Sequence, residues 1–275
     1  MKYIITGHKG LIGKVLKRRL EDEGHSCLAS IDRREDKDII DIRGLRADAD
    51  AMFHLASFCK IEETIQNPSL AFTNNVIGSF NIAEVCRKNK IPRTIAMSSS
   101  RVLHPEENPY TASKKYLENL IRANHDCYGL DYIIIRPSTV YGPGKDLTGR
   151  LITEWCRKAL RREELPIFGD KNKTLDFTHV DDFVDGVMLL YNRWDETKND
   201  TYDISGNDVV KLVDVADMIA DEVGEIRIRF YNPEVAQPQQ VVVDTTKARK
   251  FGYEPKIKLR EGIKQIVDYY REHGT

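Results

Sequence analysis

The spacing of apolar positions changes repeatedly along this chain. Residues 2–6 form a short apolar run that ends at a glycine turn. Residues 11–23 then follow helical spacing until Gly24, which predicts a strand, a turn and an amphipathic helix. Residues 26–31 predict a second strand ending at Asp32. The apolar run 38–42 follows so soon that no helix fits between, and a loop or single turn is expected there. Residues 51–56 predict the next strand. Residues 69–88 predict a long helix with Leu70, Val76, Phe80, Ala83 and Cys86 near one face. A strand over 93–98 runs into Ser98-Ser99-Ser100. A helix carrying Tyr110 and Lys114 extends to about Cys127, and 132–136 is a further strand. Strands alternating with helices, with apolar runs at the centre, predict an α/β chain whose parallel sheet is covered on both faces.

The second half is less regular. Helices are expected over 148–162, after Asp181-Asp182, over 211–223 and over 259–273, with strands at 201–204 and 226–230. No repeat or linker interrupts it. The division expected is a nucleotide-binding domain over 1–140, rejoined by 174–204, and a smaller α/β lobe over 141–275.

The chain has 275 residues and a formal net charge of −1, so no global field favours nucleic acid or an anionic membrane. The N-terminal apolar run is too short for a signal peptide, and no stretch approaches a bilayer span. Cys27, Cys59, Cys86, Cys127 and Cys156 are scattered and lack Cys-x-x-Cys spacing, which predicts reduced thiols, a cytoplasmic setting and no metal site.

Residues 6–13 read Thr-Gly-His-Lys-Gly-Leu-Ile-Gly. Gly7, Gly10 and Gly13 sit between the first strand and the first helix, with Lys9, Leu11 and Ile12 among them. Such a turn lets backbone approach a pyrophosphate, and the helix N-terminus offers it free N–H groups. Gly-x-x-Gly-x-x-Gly is also compatible with an ordinary tight turn. Asp32, at the end of the next strand, supplies the context: an acid there accepts hydrogen bonds from ribose hydroxyls and repels a 2′-phosphate, favouring NAD over NADP. Arg33 and Arg34 act against that preference, so NADP stays open. These features predict a Rossmann-type doubly wound sheet.

Tyr110 and Lys114 are separated by one helical turn and share a face. An ammonium beside a phenol is expected to lower the phenol's pKa. A phenol so tuned exchanges protons with a sugar or alcohol hydroxyl.

The chain resembles the extended short-chain dehydrogenase/reductase superfamily, in its nucleotide-sugar epimerase/dehydratase branch. The resemblance rests on the glycine turn, Asp32, His54-Leu55-Ala56-Ser57, Asn74-Asn75-Val76-x-Gly78 and the serine run. It continues through Tyr110-x-x-x-Lys114, Arg136-Pro137-x-x-Val140-Tyr141-Gly142-Pro143, and Asp176-Phe177-x-His179-Val180-x-Asp182. The ending Asp244-x-x-Lys247-Ala248-x-x-x-x-Gly252-Tyr253-x-Pro255 fits as well. It implies that Asp41 and Ile42 lie at the adenine, and that Leu55, Ala56, Ser57, Asn75, Met97 and Ser98 follow the cofactor. Ser99 would bond the substrate oxygen, with Ser98 and Ser100 as adjacent alternatives. Tyr110 would be the acid/base, Lys114 would bind the nicotinamide ribose, and Pro137 and Ser138 would border the carboxamide. A homodimer through helices 69–88 and 110–127 is also implied, although the apolar face of the first equally suits packing on the sheet.

Departures from the pattern carry information. Dehydratases of the branch have an Asp-Glu pair where this chain has Ser100 and Arg101, so 4,6-dehydration and decarboxylation are disfavoured. The loop from Val102 to Tyr110 is short, which would open one wall of the substrate pocket. Thr139 stands in place of an asparagine. Leu175 and Glu234 stand where two phosphate-binding arginines are expected; Arg101, Lys145, Arg150 and Lys173 are the candidate substitutes. The expected activity is 4-epimerisation of a nucleotide sugar with tightly held NAD. The alternatives are net oxidation or reduction of a sugar with exchangeable NAD(P), and a non-catalytic nucleotide-binding protein.

Overall fold

The computed structural model describes residues 1–144, 149–238 and 240–275. The first half contains β1 (Lys2–Thr6), α1 (Leu11–Asp22), β2 (Ser26–Ile31), β3 (Ala51–His54), α2 (Ile61–Gln66), the single turn α3 (Pro68–Leu70), α4 (Gly78–Asn89), β4 (Arg93–Met97), α5 (Pro109–Tyr128) and β5 (Asp131–Pro137). The second contains β6 (Thr139–Tyr141), α6 (Leu151–Leu160), β7 (Leu165–Phe168), β8 (Thr174–His179), α7 (Val180–Asn192) and α8 (Trp194–Thr197). It continues with β9 (Asp200–Ile204), β10 (Asp208–Lys211), α9 (Leu212–Val223), β11 (Ile228–Tyr231), α10 (Thr246–Arg249) and α11 (Leu259–His273).

Six strands form one sheet in the order β2-β1-β3-β4-β5-β9, every pairing parallel. Side chains alternate across it, as a period of two requires. Tyr3, Ile5, Phe53, Ile95, Met97, Ile133 and Ile135 pack towards α1 and α7. Ile4, Met52, Ala96 and Ile134 serve the opposite face, which α4 and α5 cover. The register aligns Thr6 with His54, His54 with Ala96, and Met97 with Ile135. The carboxyl ends of β1, β3, β4 and β5 therefore open on one edge. Chain order reverses between β1 and β3, which leaves a crevice there.

The second sheet is β10-β8-β6, with β10 antiparallel to β8, and β11 pairs with β7 in a separate ribbon. With α6, α9 and α11 these strands enclose a second apolar core built on Trp155, Phe177, Ile219 and Ile263. Most of these strands are only three or four residues long, too short for a clear period-two pattern. Within the segment expected to rejoin the first domain, α7 and β9 do lie with the large sheet, while β8 pairs in the second.

Two boundaries shift for local reasons. Strand β3 stops at His54 because the Leu55 and Ala56 N–H groups donate to Thr6 Oγ1, at 3.1 and 3.0 Å. The helix expected over 69–88 is interrupted: Ala71–Ile77 is π-helical before α4 begins. Such a widened turn is frequent beside functional sites.

Candidate active site

A single cavity of about 570 Å³ runs along the carboxyl edge of the large sheet and under the second lobe. Gly7 opens it in the left-handed region, at φ +75°, where a Cβ would lie 2.8 Å from Ala56 N. A Cβ on Gly13 would lie 2.2 Å from Gly7 O, so the helix packs on the turn only with glycine there. The first turn of α1 carries no acid to compete for its free N–H groups. Turn and helix end together form a cradle for a pyrophosphate.

Asp32 is buried beside this turn. Its Oδ2 accepts the Lys9 N–H at 3.0 Å and its Oδ1 accepts the Arg34 N–H at 3.1 Å. It lines the cavity with lone pairs to spare for a ribose diol. The side chain of Lys9 turns to Glu35, 2.5 Å away. Arg33 lies over the Phe58 ring and, like Arg34, lines the mouth.

The expected adenine contacts are displaced. Asp38 and Ile39 line the cavity, while Asp41 is exposed and Ile42 starts a 3-10 turn packed on the core. The cause is the brief connection after β2. It bends at once, with Asp38 Oδ1 accepting the Ile40 N–H at 3.1 Å, and Asn81 donates to the carbonyls of Ile39 and Ile40 at 3.0 and 2.6 Å. Asn81, on α4, had no sequence signal for this role.

Other expected contacts divide in the same way. Ile12, Leu55, Ala56, Ser57, Met97, Pro137 and Ser138 line the cavity. Leu11 is buried in the core instead. Asn75 is buried and braces the loop after β3, accepting from Phe58 N at 2.7 Å and donating to Ser113 Oγ at 3.0 Å. Its neighbour Asn74 faces the cavity. Phe58, Cys59, Lys60 and Ile61 line it too; they follow the recognised His54–Ser57 segment but carry no pattern of their own. His54 sits between Thr6 Oγ1 at 2.9 Å and Ser79 Oγ at 3.2 Å, and burial drives its pKa down to about 3.

The three serines have different surroundings. Ser98 Oγ donates to Glu118 at 2.6 Å, and Glu118 is clamped by Arg136 through two bonds of 2.7 Å. Ser100 is buried in a 3-10 turn and lies off the cavity. Ser99 lines the cavity, and its hydroxyl is close enough to the Tyr110 phenol to pull the phenol's pKa down. Glu118 stands one turn beyond Lys114 on α5; that i,i+4 spacing was the available signal for it.

Helix α5 begins at Pro109, capped by Asn108 Oδ1 accepting the Thr111 N–H at 2.9 Å. Tyr110 and Lys114 therefore project from its first turns. Lys114 Nζ lies 5.8 Å from the Tyr110 ring centre and donates to Met97 O at 2.8 Å. The expected lowering of the phenol's pKa is not found. Burial dominates and pushes Tyr110 up to about 12, against weaker opposing pulls from Ser99, Arg150 and Arg101. Burial likewise pushes Lys114 down to about 8.

At the far end the walls are Arg101, Thr139, Arg150, Lys173, Leu175, Glu234 and Gln237. Arg150 donates to Val140 O at 3.1 Å. Lys173 is almost wholly buried and donates to Phe168 O at 3.2 Å and Glu234 at 3.1 Å. The short loop before α5 is joined to this end by Asn108 Nδ2 donating to Ala236 O at 3.1 Å. Lys145 lies outside the described residues.

The sequence profile of the NAD dependent epimerase/dehydratase family matches residues 3–205. The chain belongs to this family. Among its relatives, the UDP-glucose 4-epimerase of Mycolicibacterium smegmatis is 26% identical over 98% of this chain and 99% of that one. The UDP-glucuronate 4-epimerase of Thermodesulfobacterium geofontis is 24% identical over 98% and 96%. In fold, the crystal structure of Bacillus cereus UDP-glucuronic acid 4-epimerase with UDP-glucuronic acid and NAD superposes with a TM-score of 0.92. It is 23% identical and covers 99% of this chain and 100% of that one. Family membership accounts for the glycine turn and the Tyr110–Lys114 pair meeting in one cavity.

Proposed function

We propose that this protein is an NAD-dependent 4-epimerase of a nucleotide sugar. The observation that carries the reading is the convergence of Ser99, Tyr110 and Lys114 on the cavity that the glycine turn and Asp32 open. Its family and the 4-epimerases among its relatives support it. Gly7, Gly10, Gly13 and Asp32 would hold the dinucleotide, with Pro137 and Ser138 beside the carboxamide. NAD held there would supply the acceptor for the C4 hydride and the donor for its return to the opposite face of the 4-keto sugar. Tyr110 takes the proton from the C4 hydroxyl and gives it back, while Ser99 holds that oxygen. Lys114, 5.8 Å from the phenol ring, would bind the nicotinamide ribose.

The test is conversion of UDP-glucose or UDP-glucuronate to the C4 epimer without added cofactor, with NAD released on denaturation. No conversion by NAD-loaded protein would overturn the reading. A second reading, net oxidation or reduction of a smaller sugar, is favoured by one observation: Leu175 and a carboxylate, Glu234, line the far end of the cavity. It predicts absorbance change at the NADH band when substrate and cofactor are mixed.

Our reading extends to organisation. Residues 1–140 with 180–204 act as the cofactor unit and the remainder as the substrate unit. The exposed aromatic side chains Phe72, Phe80 and Tyr128, along the 71–89 helix run and α5, suit a homodimer, measurable by sedimentation. All five cysteines are free, in keeping with a cytoplasmic protein. No helix among the described residues is long and apolar enough to cross a membrane.

A further inference from the structure

Asn108 makes two side-chain bonds that serve different parts of the cavity. It is buried at the N-cap of α5, one position before Pro109 and two before Tyr110. Its Oδ1 accepts the Thr111 N–H at 2.9 Å, and its main-chain carbonyl accepts the Ala112 N–H at 3.0 Å. Capping makes no use of the other half of the carboxamide. That half, Nδ2, donates to Ala236 O at 3.1 Å, 128 positions further along the chain. One bond requires an acceptor and the other a donor, so an amide in this one orientation makes both.

Ala236 belongs to a strap, residues 232–238, that leaves β11 and crosses the substrate end. Glu234 and Gln237 line the cavity from it, and Glu234 accepts from Lys173 at 3.1 Å. Val235 at its crest is exposed, while Pro238 is buried. Between them Ala236 lies in the left-handed region, at φ +50°. A residue with a Cβ resists that conformation, so its surroundings must hold it there. The Asn108 amide does so at its carbonyl.

The loop before α5 explains why the strap is fastened at this point. Residues 104–108 are all that connect the turn after Ser99 to the helix. So short a connection covers little of the substrate end, and the strap supplies that wall from the other lobe. Helix α5 packs on the large sheet, whereas β11 joins the second core. A wall built on one core and a phenol built on the other keep a fixed separation only where something spans them.

We propose that Asn108 is a positioning residue. It fastens the 232–238 strap to the helix that carries Tyr110, and so holds the far wall of the cavity at a set distance from the acid/base. That this distance governs sugar-nucleotide affinity rests on the 4-epimerase reading; the fastening itself does not.

The test removes the donor and keeps the cap. Asn108→Asp retains an acceptor for the Thr111 N–H, with a charge suited to a helix N-terminus, but cannot donate to Ala236 O. Asn108→Ser is a neutral cap too short to reach the strap. NAD-loaded parent and variants are compared by turnover of UDP-glucose, by thermal melting, and by cleavage after Glu234 with a glutamate-specific protease, read by mass spectrometry. Both variants should melt no lower than the parent and be cut there about three- to tenfold faster. KM should rise by about the same factor, with kcat within about twofold. Asn108→Ala, which loses cap and tether together, should add a lower melting temperature. A residue that only caps the helix would leave cleavage and KM unmoved in Asn108→Asp and Asn108→Ser, and that result would overturn the proposal. So would a change confined to Asn108→Asp, the mark of its charge, or faster cleavage with KM unmoved. If no form converts UDP-glucose, the epimerase reading falls and cleavage alone decides the tether. Conversion with parental KM and parental cleavage would remove the tether and leave the epimerase reading standing.

Discussion

The two ends of the cavity are built in opposite ways. At the cofactor end the working groups are backbone: the glycine turn, the first N–H groups of α1, and side chains already committed to fixing that backbone. Asp32 holds Lys9 N and Arg34 N, Thr6 holds Leu55 N and Ala56 N, and Asn75 holds both polar groups of Phe58. At the substrate end the working groups are long side chains from four separated stretches of chain: Arg101, Arg150, Lys173 and Glu234. The first end is pre-organised by turns that only certain residues permit. The second depends on which side chains meet, and can change its ligand with few substitutions.

The largest expected effect lies where the ends join. Tyr110→Phe should lower kcat by about 10²–10⁴-fold with little change in unfolding temperature, as measured by epimer formation and thermal melting. Lys114→Met should separate activity from stability. Burial lowers the folded pKa from 10.5 to about 8, so below pH 8 the folded state bears the full cost of a desolvated charge. Between pH 8 and 10.5 the unfolded chain binds more protons, and stability of the unmodified protein should rise with pH. The substitution should therefore stabilise the ligand-free protein below pH 8 by about 2–3 kcal/mol, less the lost bond to Met97 O. The gain should vanish by about pH 10.5, while turnover collapses at every pH; urea unfolding across that range checks the sign.

Gly13→Ala probes the backbone-built end. Its Cβ would meet Gly7 O at 2.2 Å, so destabilisation of about 1–3 kcal/mol and loss of bound dinucleotide should appear together in denaturation and released-NAD measurements. Asp32→Asn should erode the NAD preference by about tenfold, one charge-assisted bond's worth, read from NAD and NADP affinities. The smallest effect belongs to the other end. Glu234→Gln frees Lys173, and UDP affinity should rise about threefold, within the range of a partly exposed ion pair. A larger response at Glu234 than at Asp32 would reverse the contrast drawn above.

Much of the cofactor end was legible from residue types. Gly7 and Gly13 are there because no side chain fits, and such positions announce themselves in sequence. The central strands β1, β3, β4 and β5 were readable because they are buried on both faces. Asp41 and Ile42 lie off the cavity because the connection after β2 bends at once and is held by Asn81, 42 positions beyond Ile39 in the chain. Ser99 could not be told from Ser98 and Ser100 until Glu118 was seen to engage Ser98.

The sequence by itself determined the parallel sheet, the glycine turn and the pairing of Tyr110 with Lys114, because each follows from local sterics or helical period. Only the tertiary structure decided the pKa shifts and the partners. Burial, which depends on every element packed around α5, sets Tyr110 above its ordinary pKa and Lys114 below it. The same packing gives Glu234 to Lys173 and leaves the buried Arg101 Nη1 without a hydrogen-bond partner. Electrostatics and hydrogen-bond satisfaction are sums over neighbours in space, and neighbours in space are what the order of residues does not state.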